Sequence, residues 1–223
     1  MGAAVLLDII GSTIIGGILL LTLFRMNDTA TKNTYNFSGE LTLQENLVAT
    51  VEVLEYDFRK IGYCEDPLAL PKPEQNAIRY ADESEIKFLT DLMIGPDYDE
   101  GDGVIDTITY FLGDASELSG TPNPNDRMLY RVINGVPTGV NLGVTYFKIR
   151  YFRDSSTASG STTLAEILPS SLPKIYVPGT PTGITALQID IKVENTASYD
   201  EANNPFRQAF WRQIRLSSRN LKR

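Results

Sequence analysis

From Ala3 to Phe24 the chain reads AAVLLDIIGSTIIGGILLLTLF, 22 residues whose only charge is Asp8. A helix of that length rises about 33 Å, enough to cross the hydrocarbon core of a bilayer. Arg25 closes the run. Gly11, Gly16 and Gly17 would weaken a helix in water, whereas glycine is frequent where membrane helices pack closely. A cleaved secretory signal competes for the same segment. Its apolar core is normally about 7–15 residues long and follows a basic stretch, and neither feature fits this run. The expectation is a retained transmembrane helix.

Residues 26–39 (MNDTATKNTYNFSG) are polar and read as either a loosened helical stretch or a linker. From Glu40 the helical period is clear. Leu47, Val51, Leu54 and Phe58, with Ile61 three further on, form one apolar stripe, while Glu45, Glu52, Glu55, Arg59 and Lys60 fall largely off it. Gly62 is a plausible stop and Pro67 forbids continuation soon after. A second, amphipathic helix over about 40–62 is therefore expected, with a face narrow enough to suit packing on a sheet. It could be continuous with the first.

After Pro73 the period falls to two. The expected strands are Ala77–Tyr80, Glu85–Leu89, Asp106–Leu112, Met128–Val132, Val144–Phe152, Leu187–Val193 and Phe210–Leu216. In LQIDIKV, Leu187, Ile189, Ile191 and Val193 share one face. The last run also reads as a short helix carrying Phe206, Phe210 and Ile214. Turn-rich stretches such as GDASELSGTPNPND and RDSSTASGSTT separate the runs. The fold class implied is α+β: one long N-terminal helix packed on an antiparallel sheet domain. The organisation is a transmembrane or filament-core helix over 1–25, a helical extension over 26–66 that is amphipathic from about 40, and a β-rich globular domain over 67–223.

Composition narrows the chemistry. The chain has 223 residues, of which 42% are apolar and 22% charged, ordinary for a folded protein. Histidine is absent, which removes His-based triads, His general bases and the commonest zinc ligand. A single cysteine, Cys64, excludes an intramolecular disulfide and a CxxC site, and reads as a small, partly buried residue. The formal charge of −8 disfavours general nucleic-acid binding. That charge is uneven: residues 33–201 hold 12 Lys/Arg against 26 Asp/Glu, while residues 202–223 carry six basic side chains and no acid. An acidic body with a basic tail, including Arg207, Arg212, Arg215 and Arg219, can attract a second copy of itself, or the tail can simply be solvated.

Further readings concern acids. Asp8 lies inside an apolar run, where a carboxylate is costly; it meets a positive partner on a neighbouring subunit, or it sits at the membrane boundary and reaches headgroups. The segment 97–106 (DYDEGDGVID) puts Asp97, Asp99, Glu100, Asp102 and Asp106 in one glycine-containing loop, a composition that suits calcium. Its spacing fails the EF-hand rule, so a solvated acidic loop is the plainer reading. Asp57 and Arg59 read as surface charges on a helix. Carboxylates alone can hydrolyse glycosides, but nothing in the sequence pairs two of them, and no cofactor is implied.

The order of elements and four short segments resemble type IV pilin-like proteins, and more specifically the PilW-type minor pilins and the J-type minor pseudopilins of type II secretion. LLDIIGSTIIGGILLL is similar to the pilin membrane helix, with Asp8 where the family has glutamate. YDFRKIGY (56–63) resembles the end of the minor-pilin helix, IDTITYFLGD with RMLYRVING the strands that follow, and IRLSSRNLKR the chain ending. The resemblance implies a non-enzymatic structural subunit of a pilus-like or type II secretion pseudopilus filament, assembled through the helix bearing Asp8, Gly11, Gly16 and Gly17. It implies other pilin-like subunits and the membrane as partners, with a prepilin peptidase and an inner-membrane assembly platform. The location implied is the bacterial inner membrane with a periplasmic domain, or an extracellular surface filament. In the family a neighbour's N-terminal amine pairs with the acidic residue. Aligned on Asp8, Ala3 stands in place of the glycine that precedes the family's cleavage point, and no basic leader precedes it. A single-span anchored scaffold or binding protein, including a virion or injection-machine component, is the alternative.

Overall fold

A computed structural model describes residues 2–66, 68–70, 77–92, 101–156, 162–172, 183–195, 209–217 and 219–222. One uninterrupted helix, α1, runs from Gly2 to Arg59. The polar stretch 26–39 is thus helical and not a linker. The helix accommodates its polar side chains: the hydroxyls of Thr29 and Thr34 each donate to the carbonyl four residues back, and Lys32 pairs with Asp28 at 2.9 Å. Each hydroxyl is satisfied inside the helix instead of competing with it.

The chain divides into two compact units, residues 1–42 and 43–223. The first is helix alone. Beyond Thr42 the stripe read from the sequence does pack: Val51, Leu54, Phe58 and Ile61 are buried, Leu43 joins them, and Leu47 is partly covered. Past Arg59 the turn tightens through Lys60 and Ile61 amides bonded three residues back, and Gly62 takes a φ of 69°. That left-handed conformation favours glycine and ends the helix. The Gly62 amide then donates to the Leu89 carbonyl at 2.9 Å, tying the helix exit to a strand.

Two antiparallel sheets complete this unit. The first is a meander in the order β1 (Ile78–Ala81), β2 (Glu85–Thr90), β3 (Asp106–Leu112), β4 (Leu129–Ile133), β5 (Val136–Val140). The second is ordered β7 (Thr162–Ile167), β6 (Val144–Ser156), β8 (Ala186–Glu194), β9 (Ala209–Leu216). All seven expected strands are present, and the final run is strand rather than helix. Two strands went unread. β5 carries Pro137 and Gly139 and is an exposed edge, where proline is tolerated. β7 is also an edge and begins just beyond a Ser/Thr/Gly-rich stretch that reads as loop.

The C-terminal part of α1 lies on the first sheet. The Phe58 ring meets Phe88 of β2 edge-on at 5.3 Å and Tyr110 of β3 at 5.5 Å. The two sheets are stitched by the Ile149 amide donating to the Glu83 carbonyl at 2.7 Å and by the Tyr151 hydroxyl donating to Asp82. Ile86, Ile108, Ile149, Leu187 and Ile189 fill the shared core.

Candidate functional site

Residues 2–24 form the most unusual surface. Val5, Leu6, Leu7, Ile9 and the apolar side chains that follow, through Phe24, are all more than half exposed. Its few polar side chains barely interrupt it: Ser12 and Thr13 donate to the Ile9 carbonyl, and Thr22 to that of Ile18. With those hydroxyl protons engaged, Asp8 is the one strongly polar group on the segment. Gly11, Gly16 and Gly17 leave open notches, since a Cβ built on any of them would touch nothing within 4 Å. This is the one described helix long and apolar enough to cross a membrane. An apolar surface of this extent exceeds what a soluble monomer exposes and requires lipid or other protein around it. Notches of this kind let a second helix approach closely.

The C-terminal part of the same helix carries a site that the sequence reading misplaced. Asp57 has no exposed surface and is not a surface charge. Arg131 of β4 holds it with both arms, Nε to Oδ2 at 2.6 Å and Nη2 to Oδ1 at 2.9 Å. The Tyr110 hydroxyl donates to the same carboxylate, and Arg131 Nε also reaches the Tyr110 oxygen at 3.1 Å. Burial, then the adjacent Asp57 charge, pushes the Tyr110 phenol far above its ordinary range. The hydrogen bond to Asp57 holds the Arg131 guanidinium even more firmly protonated than usual. The arrangement fixes the rotation of the helix against β3 and β4. Asp57 falls three residues after Leu54 and directly before Phe58, at the edge of the buried stripe, but that position alone does not reveal the Arg131 that permits its burial.

Of the acidic loop, Asp97, Asp99 and Glu100 lie outside the described residues. Asp102 and Asp106 are engaged with the backbone: Asp102 Oδ1 accepts from the Val104 amide, and Asp106 Oδ2 from Leu92. Asn134 also donates to Asp106, at 2.6 Å. The organising group is instead Asp91, which has no exposed surface and accepts from the amides of Glu65, Asp102 and Gly103 at 2.9–3.1 Å. The Cys64 thiol donates to it at 3.5 Å, and burial raises that thiol's pKa. Cys64 is buried as expected. Among the described residues no three His, Cys, Asp or Glu side chains gather as a metal centre.

Arg207 also lies outside the described residues, and Arg219 opens a short 3-10 turn, Arg219–Lys222. Arg212 and Arg215 are exposed on β9, an edge strand. Arg215 rests its guanidinium 4.6 Å from the centre of the Phe152 ring.

No family model matches this sequence, and no curated protein matches it. Among solved structures, a type IV-like pilin from Thermus thermophilus is similar over 81% of this chain and 98% of its own, at 15% identity and a TM-score of 0.47.

Proposed function

We propose that this protein is a non-enzymatic structural subunit of a type IV pilus-like or type II secretion-like filament, in the role of a minor subunit. The observation that carries the reading is the division of labour along α1. Its first 24 residues are an apolar, notched surface with one carboxylate, and its last turns are locked into a two-sheet body. Helices of the first kind can exchange lipid for copies of each other without changing their surroundings much, which is what insertion into a filament from a membrane demands. The element order and the four segment resemblances support the same reading.

In this reading Asp8 is the register device. A carboxylate inside apolar helices costs about 2.5–3.5 kcal/mol on insertion scales unless a cation meets it. A neighbour's N-terminal amine supplies that cation.

Intact-mass and N-terminal analysis of the protein from its native membrane, with and without shearing of surface filaments, tests the proposal. Recovery in a high-mass sheared fraction is expected, with incorporation abolished or severely reduced in Asp8→Ala. Protein found only as a detergent-soluble membrane species would overturn the filament role and leave a single-span anchored scaffold. Undiminished incorporation of Asp8→Ala would reject the amine pairing.

A further inference from the structure

We propose that the outer face of the second sheet binds a neutral saccharide chain, β-1,4-linked with equatorial substituents, across Tyr146, Lys192 and Trp211. Tyr146 of β6 pairs with Lys192 of β8, and Lys192 pairs in turn with Trp211 of β9. Directly opposed residues of antiparallel strands project to one face, so the three side chains form a row. Leu187, Ile189, Ile191 and Val193 turn the other face of β8 to the core, which puts the row on the side away from it. Tyr146 is 43% exposed and Trp211 57%, whereas Phe147, Tyr151 and Phe152 of the same sheet are buried. Aromatic side chains left open in this way, apolar in body and polar at one end, are suited to contact with a ligand.

A depression adjoins the row at Tyr146 and Lys192. Its volume is about 240 Å³, and Asn125, Arg127 and Glu194 are also among its lining residues. Both Glu194 oxygens are taken, one by Lys192 at 2.5 Å and the other by the Asn123 side-chain amide at 3.0 Å. That pairing balances the Lys192 charge. The lining is therefore mixed: a carboxylate, an ammonium, a guanidinium and a carboxamide stand side by side. It offers donors and acceptors with little net charge, which suits neither a metal ion nor a polyanion.

Sugar rings with equatorial substituents match both parts of this surface. Their ring faces carry axial C–H groups and lie flat on aromatic side chains, while the hydroxyls at the ring edge both donate and accept. Neighbouring strands lie about 4.8 Å apart, close to the rise of one ring in a β-1,4-linked chain. A chain crossing the strands sets one ring over Tyr146, the next over Lys192 and the third over Trp211. The Lys192 ammonium has protons beyond the one given to Glu194, and these serve the middle ring. Asn125 and Arg127, in the depression beside Tyr146, hold the hydroxyls at that end.

Trp211 is the chain's single tryptophan, so its fluorescence reads this face. The full chain, in a zwitterionic detergent without a sugar headgroup, is titrated with cellohexaose and with N-acetylchitohexaose. A saturable shift in emission with either is the expected result. Tyr146→Ala should weaken binding about fivefold to tenfold. Trp211→Ala, followed by calorimetry, should do the same. Both positions are exposed, so neither change is expected to disturb folding. Tyr35→Ala, which removes an exposed aromatic from α1, should leave binding unchanged. No response to either oligosaccharide would overturn the site, and so would undiminished binding by both variants in the row. A shift on concentrating the protein alone, with none on adding sugar, would make the face a contact between copies instead. A response confined to a sulfated polysaccharide and abolished in about 0.5 M sodium chloride would assign the face to polyanions and reject the neutral chain.

Discussion

A carboxylate with no exposed surface persists on α1 because Arg131 meets it with both nitrogen arms and Tyr110 adds a third donor. Breaking such a group differs from replacing it. Arg131→Ala leaves Asp57 charged and buried, at an expected cost of about 3–5 kcal/mol, whereas Tyr110→Phe removes one charge-assisted bond worth about 1.5–3 kcal/mol. Urea unfolding of the single variants and the double variant should show strong coupling, with the double cost departing clearly from the sum because both donors serve the one carboxylate. Additive costs would mean that the three groups act independently. Asp126 presents the opposite case, since burial, with repulsion from Glu194, raises its carboxyl pKa. A carboxyl whose folded pKa lies above its unfolded value favours the fold at low pH, and that contribution is lost as pH rises through the folded value. Asp126→Asn should therefore melt higher than the wild type at pH 7, with the gap shrinking toward pH 4. Lys192, paired with Glu194, and the exposed Arg127 beside Asp126 limit the size of the gap.

At the level of elements, legibility followed how much of each element is buried on one face. The stripe Leu47–Phe58 was readable because burial on one side forces a period, and β8 because its apolar residues Leu187, Ile189, Ile191 and Val193 alternate with polar ones, even though both of its faces are buried. β5 and β7 were not, since an exposed edge strand imposes no pattern and carries Pro137 or threonines instead. The Asn134-Gly135 turn joining β4 to β5, with φ of 49° and 84°, was the available signal for β5. Continuity through residues 26–39 was undecidable from propensity; in the structure the threonine hydroxyls bond within the helix and so do not compete with it. Asp57 and Asp91 were invisible for a different reason: sequence reports charge but not the partner that permits its burial. The helix stop offers a clean test. Gly62 holds φ at 69°, so Gly62→Ala should cost about 1–2 kcal/mol in urea unfolding, the penalty for a Cβ in the left-handed region. A variant as stable as the wild type would show that the exit turn relaxes freely.

For the whole molecule, charge is arranged along the chain as deliberately as hydrophobicity. The acidic stretch 33–201 precedes a basic end whose Arg212 is exposed on β9, an edge strand with no neighbour on its outer side among the described residues. Complementary charge of this kind accelerates encounter more than it tightens the final contact, and salt screens it over about 8–10 Å. If copies of the chain meet basic end to acidic body, association in detergent should slow several-fold between about 50 and 500 mM sodium chloride. Arg212→Glu should slow it at low salt and have little effect at high salt. Arg212 is the better probe than Arg215, whose guanidinium also stacks on Phe152 and whose loss would disturb packing. Light scattering after dilution of the detergent would read both rates. A rate indifferent to salt and to the charge reversal would assign association to the apolar helix alone, with the basic end merely solvated.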